Sequence, residues 1–367
     1  MRVLVVNFGS STLKYKLFEM RTEKVLLDGH IEFSRGGPVP AARRMLRHIR
    51  GKFPLSTLSA VGHRVVHGGP KYGTSALITD ETLEDIADYA SFAPLHNPPA
   101  AHGIRLMQRL LPNADHVAVF DTGFHRDMPP KAYLYGLPYD LALKHGIRRY
   151  GFHGASHQYV AQRCAVLMGR PLRKIKLITC HIGSGTSIAA VSGGRSVDTS
   201  MGMSPLQGVI MGTRSGTIDP AIVEFLMEKE KLGYRAIIEL LNKRSGLFGL
   251  SGLSGDIRVL ESAAKSGHRQ AQVALDVHAY QIKKFIGSYL MALNGADAIV
   301  FTAGVGENSA RLRADVASSL AFAGVRLDPP ANEKGTGERR ISTDRSKIAL
   351  WVIPTNEELM IARETVR

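Results

Sequence analysis

The sequence predicts an α/β protein of two domains, each a mixed sheet with helices on its faces. Three observations predict it. At 367 residues the chain is too long for one domain of typical size. Short β-branched runs alternate with stretches of helical period. A strand–glycine turn–strand unit also recurs about half a chain apart. Val6-Asn7-Phe8-Gly9-Ser10-Ser11-Thr12 aligns with Cys180-His181-Ile182-Gly183-Ser184-Gly185-Thr186, with Gly, Ser and Thr at equal offsets. Duplication explains the match, and chance likeness of two hairpins is the alternative.

The elements follow in order. Residues 2–7 read as a buried strand, Gly9-Ser10-Ser11 turns, and Leu13–Phe18 returns as a hairpin. Residues 81–92 and 99–111 have helical period, and Val117–Phe120 is a short buried strand ending at Asp121. Leu177–Cys180 and Ser187–Val191 flank the second glycine turn. Residues 220–243, 256–266 and 268–293 read as helical. Ala298–Thr302 is a buried strand running into a third glycine turn, Gly304-Val305-Gly306-Glu307-Asn308. Asp328–Lys347, rich in Pro, Gly and charge, reads as an exposed loop or short hairpin. Ile348–Ile353 is a strand, and Asn356–Val366 a helix with Glu357 and Glu358 in its first turn.

Composition narrows the class. Hydrophobic residues are 44%, charged residues 22%, and mean hydropathy is −0.05, which is a globular and not a disordered composition. No apolar run approaches the ~18 residues of a membrane span. The apolar stretch Val3–Val6 is too short for a signal-peptide core, so a cytoplasmic location is expected. Cys164 and Cys180 make neither a disulfide framework nor a four-ligand metal site and read as buried thiols. Basic residues number 47 against 32 acidic, a net charge of +15. The densest group, Arg43, Arg44, Arg47, Arg50 and Lys52, is interleaved with Met45, Leu46 and Ile49 and reads as an amphipathic helix with a solvated basic face. No aromatic interleaving and no nucleic-acid motif accompany it. A surface that attracts small anions is the better reading, and no nucleic-acid partner is expected.

The candidate chemistry lies in turns. Glycine lets successive backbone N–H groups converge on phosphate, and three glycine turns after buried strands carry more weight than one. No Gly-x-x-x-x-Gly-Lys-Ser/Thr is present, which excludes a P-loop. His125-Arg126-Asp127 mimics a protein-kinase catalytic loop, but no Asn stands five residues on and no Asp-Phe-Gly follows. His63, His67, His96, His125, His153, His157 and His181 sit in turn-like contexts. His153 and His157, four apart, lack a third zinc ligand at a standard spacing. Arg64 and Arg214 stand in glycine-bounded segments, where an arginine suits clamping a carboxylate or phosphate. Asp121 ends a buried strand. Glu357 is either a magnesium ligand or a residue that complements a helix dipole. Phosphate nests, arginine clamps, histidine and carboxylates without zinc point to phosphoryl transfer, which depends on positioning and charge neutralisation.

These segments together resemble the acetate and propionate kinase family, within the actin-like ATPase superfamily. The segments are Asn7–Lys14, Gly62–Gly69, Ala93–Pro98, Phe120–His125, Tyr150–His157, His181–Gly185, Asp198–Gly202, Met211–Pro220, Gly304–Asn308 and Thr355–Leu359, and they run nearly end to end. The resemblance implies a duplicated actin-like (ribonuclease H-like) fold. Its first domain would be 1–125 plus 358–367, holding the acyl substrate and magnesium. Its second would be 126–357, for nucleotide binding and dimerisation. The implied reaction is reversible, Mg²⁺-dependent phosphoryl transfer from ATP to acetate, giving acetyl phosphate and ADP, with Mn²⁺ able to substitute. The implied assembly is a cytoplasmic homodimer with no membrane partner.

Roles carry over by position. Asn7 and Glu357 resemble the magnesium-site residues. Arg64 resembles the holder of the substrate carboxylate, and Asp121 the active-site acid. His153 and Arg214 resemble the residues that neutralise the transferring phosphoryl group. Val66, Leu95, Phe152 and Pro205 resemble the acyl pocket. Ser10, Thr12 and Lys14, with His181, Ile182, Gly183, Ser184 and Gly185, resemble parts of the nucleotide site. So do Asp256, Ile257 and Arg258, and Gly304, Val305, Gly306, Glu307 and Asn308. A substrate carboxylate is already ionised at neutral pH, so Asp121 is expected to orient it more than to act as a base. Each methylene is worth only ~1–3 kcal/mol, so propionate should be a poorer substrate and not an excluded one. The sequence departs from the family at Ser184 (usually Asn), Phe8 (usually small) and Gln207 (commonly Glu). Phe8 is expected to put bulk beside the phosphates. Pyrophosphate, used by some relatives, is the alternative donor, and another short-chain acyl group the alternative acceptor. A nucleotide-binding protein without catalysis is the reading from another class.

Overall fold

The computed structural model describes residues 1–9, 11–33, 37–94 and 96–367. The expected Ser10 and Leu95 contacts therefore lie outside the described residues. In chain order, the first part comprises β1 (Arg2–Phe8), β2 (Thr12–Glu19), β3 (Lys24–Glu32), α1 (Pro38–Arg50), β4 (Leu58–Val65), β5 (Ser75–Leu77), α2 (Asp80–Asp88), α3 (Asn97–Leu110) and β6 (Asp115–Phe120). Then come α4 (Pro130–Tyr133), α5 (Tyr139–Lys144), α6 (Gly154–Leu167), β7 (Lys176–Ile182), β8 (Thr186–Ser192) and β9 (Arg195–Thr199). The rest is α7 (Ala221–Glu230), α8 (Tyr234–Lys243), α9 (Gly246–Ser251), α10 (Ile257–Lys265), α11 (Arg269–Ala292), β10 (Ala298–Thr302), α12 (Ala303–Asn308), α13 (Ala310–Ser318), α14 (Pro329–Glu333), β11 (Arg339–Arg340), β12 (Ala349–Val352) and α15 (Glu357–Thr365).

Two compact units result. One combines Met1–Arg126, Phe152–Tyr159 and Asn356–Arg367; the other combines Asp127–Gly151 and Val160–Thr355. The sequence reading put 152–159 and 356–357 with the second domain. They group with the first because the Gly154 N–H donates to the Asp121 carbonyl (2.9 Å), while Ala155 and Leu359 pack with Val3 and Val5.

Each unit holds one mixed six-stranded sheet. The orders are β3-β2-β1-β4-β6-β5 and β11-β12-β10-β7-β8-β9. Strand by strand these are one topology: an antiparallel meander, two parallel additions, and an antiparallel edge. The turns differ by one residue. Phe8 pairs with Leu13 across four residues, whereas Ile182 pairs with Thr186 across three. The ungapped alignment of Thr12 with Thr186 is therefore one step out of register.

Side-chain alternation decides what each strand shows. Leu4, Val6 and Phe8 of β1 face α1 and α3 with Met45, Ile49 and Met107. Val3 and Val5 face α15, so Asn7, two further on, shares that face. Phe8 is thus a core residue lying against Gly103 of α3, and the expected bulk beside the phosphates is not found. α1 does form, burying Ala41, Ala42, Met45, Leu46 and Ile49 and exposing its arginines. Gly62, taken as the edge of a turn, lies inside β4. A Cβ there would sit 2.2 Å from Thr365 Oγ1 of α15, so the residue is a close-approach point between strand and helix. The third glycine turn is the short helix α12. The 220–243 stretch is two helices, separated where Lys231 turns left-handed (φ 55°).

Candidate active site

In the first unit the parallel strands β1, β4 and β6 end on the same side and deliver Asn7, Arg64 and Asp121. Arg64 Nε donates to Asp121 Oδ1 (3.0 Å) and Nη2 to Oδ2 (2.7 Å), a bidentate pair. Asp121 is 3% exposed and Arg64 half-buried. Burial pushes the Asp121 carboxyl above the ordinary range, and the Arg64 guanidinium holds it back. The Arg64 guanidinium is itself driven further toward its charged form, chiefly by Asp121. Glu357 opens α15, and Asn356 caps that helix through the Leu359 N–H. Burial raises the Glu357 carboxyl above its usual range, with Arg64, Lys14 and Lys16 opposing the shift. Lys16 also pairs with Glu358 (3.2 Å).

His153 immediately precedes α6 and has a left-handed backbone (φ 56°). Its carbonyl accepts the His157 N–H (3.0 Å). Phe152 is only 1% exposed, with its ring edge against His67, while Val66 is half-buried. Thr12 is half-buried, and its carbonyl accepts the Gly9 N–H (2.8 Å); Lys14 is exposed.

In the second unit the turn Gly183–Gly185 is closed by the Gly183 N–H donating to the Gly185 carbonyl (3.0 Å). Ser184 is exposed, and its carbonyl accepts the Gly212 N–H (3.2 Å), tying this turn to the loop of Arg214. Arg214 donates from Nη1 to the Pro205 carbonyl (3.3 Å) and approaches Met211 Sδ (3.6 Å). Among the described residues no carboxylate pairs with it, and burial lowers its pKa. His181 is buried. Ile182 and Ile257 are core residues, in the clusters of α11 and of α10, so only their backbone is available to a ligand. Asp256 caps α10 through the Arg258 N–H and pairs with the Arg258 guanidinium (2.6 Å). Both residues line a shallow depression of about 570 Å³ with Val259, Ser262 and Ala263.

After β10 the chain turns at Ala303 (φ 64°) into α12, leaving Gly304 and Asn308 exposed, Val305 and Glu307 half-buried and Gly306 buried. Sequence reasoning missed Arg313. It is fully buried and donates to the carbonyls of Gly306 and Glu307 (both 2.9 Å), capping the end of α12, while Asn332 holds its other nitrogens. Burial lowers its pKa to about 10. An arginine beside a glycine segment was the available signal, but its partners are backbone carbonyls that only the fold assembles.

The comparisons agree with this architecture. A family model of the acetokinase family matches residues 40–363. Acetate kinase of Halothermothrix orenii is 48% identical over 394 residues, covering 100% of this chain and 99% of that protein. Acetate kinase of Methanosarcina thermophila is 49% identical, covering 100% and 96%. Among solved structures, Porphyromonas gingivalis acetate kinase matches at TM-score 0.92 and 41% identity, over 100% and 98% of the two chains. A propionate kinase from Francisella tularensis matches at TM-score 0.94 and 38% identity, over 100% and 99%. Likeness along the whole chain, in sequence and in backbone alike, establishes that this chain belongs to the acetokinase family.

Proposed function

We propose that the chain transfers the γ-phosphoryl group of ATP reversibly to acetate, giving acetyl phosphate and ADP. The observation that carries this reading is the bidentate Arg64–Asp121 pair at the strand ends, with Asp121 buried, and the half-buried carboxyl of Glu357 within electrostatic reach of Arg64. Asp121 fixes the guanidinium plane, and Arg64 keeps Nη1 for the carboxylate of the substrate. Holding that weak nucleophile in line matters more than deprotonating it. Val66 and Phe152 suit the short acyl tail, and for Pro205 in the second unit the same role rests on the family resemblance. For His153 in the first unit and Arg214 in the second, the family resemblance implies the role of neutralising the transferring group. Arg214 suits that task because its charge is not already neutralised by a carboxylate. The turns 183–185 and 304–308 and the Asp256–Arg258 cap receive the nucleotide.

Asn7 and Glu357 would hold Mg²⁺, with Mn²⁺ able to replace it. Both are hard oxygen donors, and Mg²⁺ commonly takes one or two carboxylates together with substrate phosphates and water. Among the described residues no cluster of three or more His, Cys, Asp or Glu forms a self-sufficient metal cage, which fits a metal shared with the nucleotide. The ion would neutralise phosphate charge. A homodimer is supported by α7, which buries none of its residues and leaves Ile222 (41%) and Phe225 (57%) exposed. Among the described residues no helix is long and apolar enough to cross a membrane, which is compatible with a cytoplasmic enzyme.

The test is acetyl phosphate formation trapped with hydroxylamine, from acetate with Mg-ATP and in parallel with Mg-pyrophosphate. Turnover with ATP is expected. Turnover with pyrophosphate alone overturns the nucleotide assignment, and turnover with neither overturns the acetate assignment.

A further inference from the structure

We propose that His125 is a positioning residue that holds the His153 backbone in its left-handed conformation and so aims the His153 imidazole at the transferring phosphoryl group. The proposal rests on the acetate-phosphorylating reading above. His153 is not glycine, yet its φ is 56°. That conformation is unfavourable for an L-residue and persists where surrounding bonds over-determine it.

Hydrogen bonds on both sides of the residue do so, including the one that the His157 N–H donates to the His153 carbonyl. The peptide before His153 is held at the Phe152 carbonyl, which accepts His125 Nε2 (3.0 Å). The peptide after it is held at the Gly154 N–H, which donates to the Asp121 carbonyl (2.9 Å). Contact there is so close that a Cβ on Gly154 would lie 2.3 Å from that oxygen. Asp121 and His125 are four residues apart, joined by the single 3₁₀ turn Gly123–His125. One short segment therefore grips the chain on both sides of His153, and that segment also carries the carboxylate paired with Arg64.

The chemistry of the grip is one-way. A carbonyl only accepts, so the proton lies on His125 Nε2. His125 is fully buried, and burial lowers its pKa to about 4, so the neutral donor persists through neutral pH. The ring edge of His157 lies against it, with centroids 5.5 Å apart. Nothing in the proposed reaction requires His125 to touch a substrate.

The experiment compares His125→Phe, which keeps a ring and removes the donor, with His125→Gln, whose amide nitrogen can reach the same carbonyl. His125→Phe is expected to lower kcat by about 10- to 100-fold, as misplacement of a reacting group does, while KM for acetate and ATP stays within about twofold. His125→Gln should restore most of the rate. In a His153→Ala background His125→Phe should cost less than about twofold, because its effect runs through His153. An unchanged kcat, a loss expressed in KM, or an equal loss in the His153→Ala background overturns the proposal. If His125→Phe does not fold, His125→Asn, whose amide stops short of the carbonyl, takes its place. A crystal structure of the same variant gives a readout independent of turnover. Residue 153 is expected to leave positive φ, and retention of φ near 56° overturns the clamp. Failure of the wild type to phosphorylate acetate would strike the functional reading alone, because the backbone measurement would still decide the clamp.

Discussion

In the first sheet the ends of β1, β4 and β6 deliver Asn7, Arg64 and Asp121. At the matching register steps the second sheet delivers His181, Thr302 and Thr355. The apolar interiors are alike: Leu4 and Val6 under one sheet, Ile178 and Cys180 under the other. The rims are not. One rim is locked by a bidentate ion pair, while the other has neither carboxylate nor arginine at those steps and carries the Thr302 hydroxyl, buried with no hydrogen-bond partner among the described residues. The apolar interiors are preserved between the two sheets, and the residues at the strand ends are where they differ.

The sharpest way to break the contrast is to remove half of the charged rim. Asp121→Ala leaves the half-buried Arg64 without its partner. Loss of acetyl phosphate formation by more than about 10³-fold is expected, with a fall in unfolding free energy of about 3 kcal/mol by urea titration. In the second unit, Arg214→Ala should lower kcat by roughly 10²–10³-fold. A change confined to KM would demote Arg214 to binding.

A smaller effect separates the rims by pH. The half-buried Glu357 carboxyl titrates above its unfolded value, so its contribution favours the folded state below the ordinary glutamate range. That contribution fades as pH rises through the elevated value. The stability of the wild type relative to Glu357→Gln should therefore decline as pH rises from about 4.3, then level off. Calorimetric melts of both proteins across pH check the sign. The smallest effect belongs to the second rim. Thr302→Val removes an unpaired buried hydroxyl at constant shape and should stabilise the protein by up to about 1 kcal/mol in the same melts.

Much of this was legible in the residues. The duplicated hairpins were visible because a glycine turn after a β-branched run is a local signal. The strand-end placement of Asp121 was visible for the same reason. What was not legible depends on which face a residue takes or on distant backbone. Phe8, Ile182 and Ile257 sit among site residues in sequence, yet strand or helix periodicity turns them into cores. Arg64 looked like a turn residue because Gly62 and Gly68 flank it. Only the approach of α15 explains a glycine inside β4. His125 and Arg313 were out of reach because each binds carbonyls contributed by other segments.

The threading of the first unit through three stretches of chain has a consequence for synthesis. Its sheet is complete by β6, but the α15 side chains that cover Val3 and Val5 come only with residues 359–362. A ribosome adding roughly 5–20 residues per second would emit about 240 further residues before that cover arrived, a delay on the order of 10–50 seconds. For most of that interval the face of the nascent sheet is covered only by Ala155 and Tyr159, and the second unit, which runs to Thr355 and needs β12, is completed only just before α15. The half of the enzyme made first is thus the half finished last, and a chaperone that shields exposed strands would meet this chain at its amino-terminal sheet.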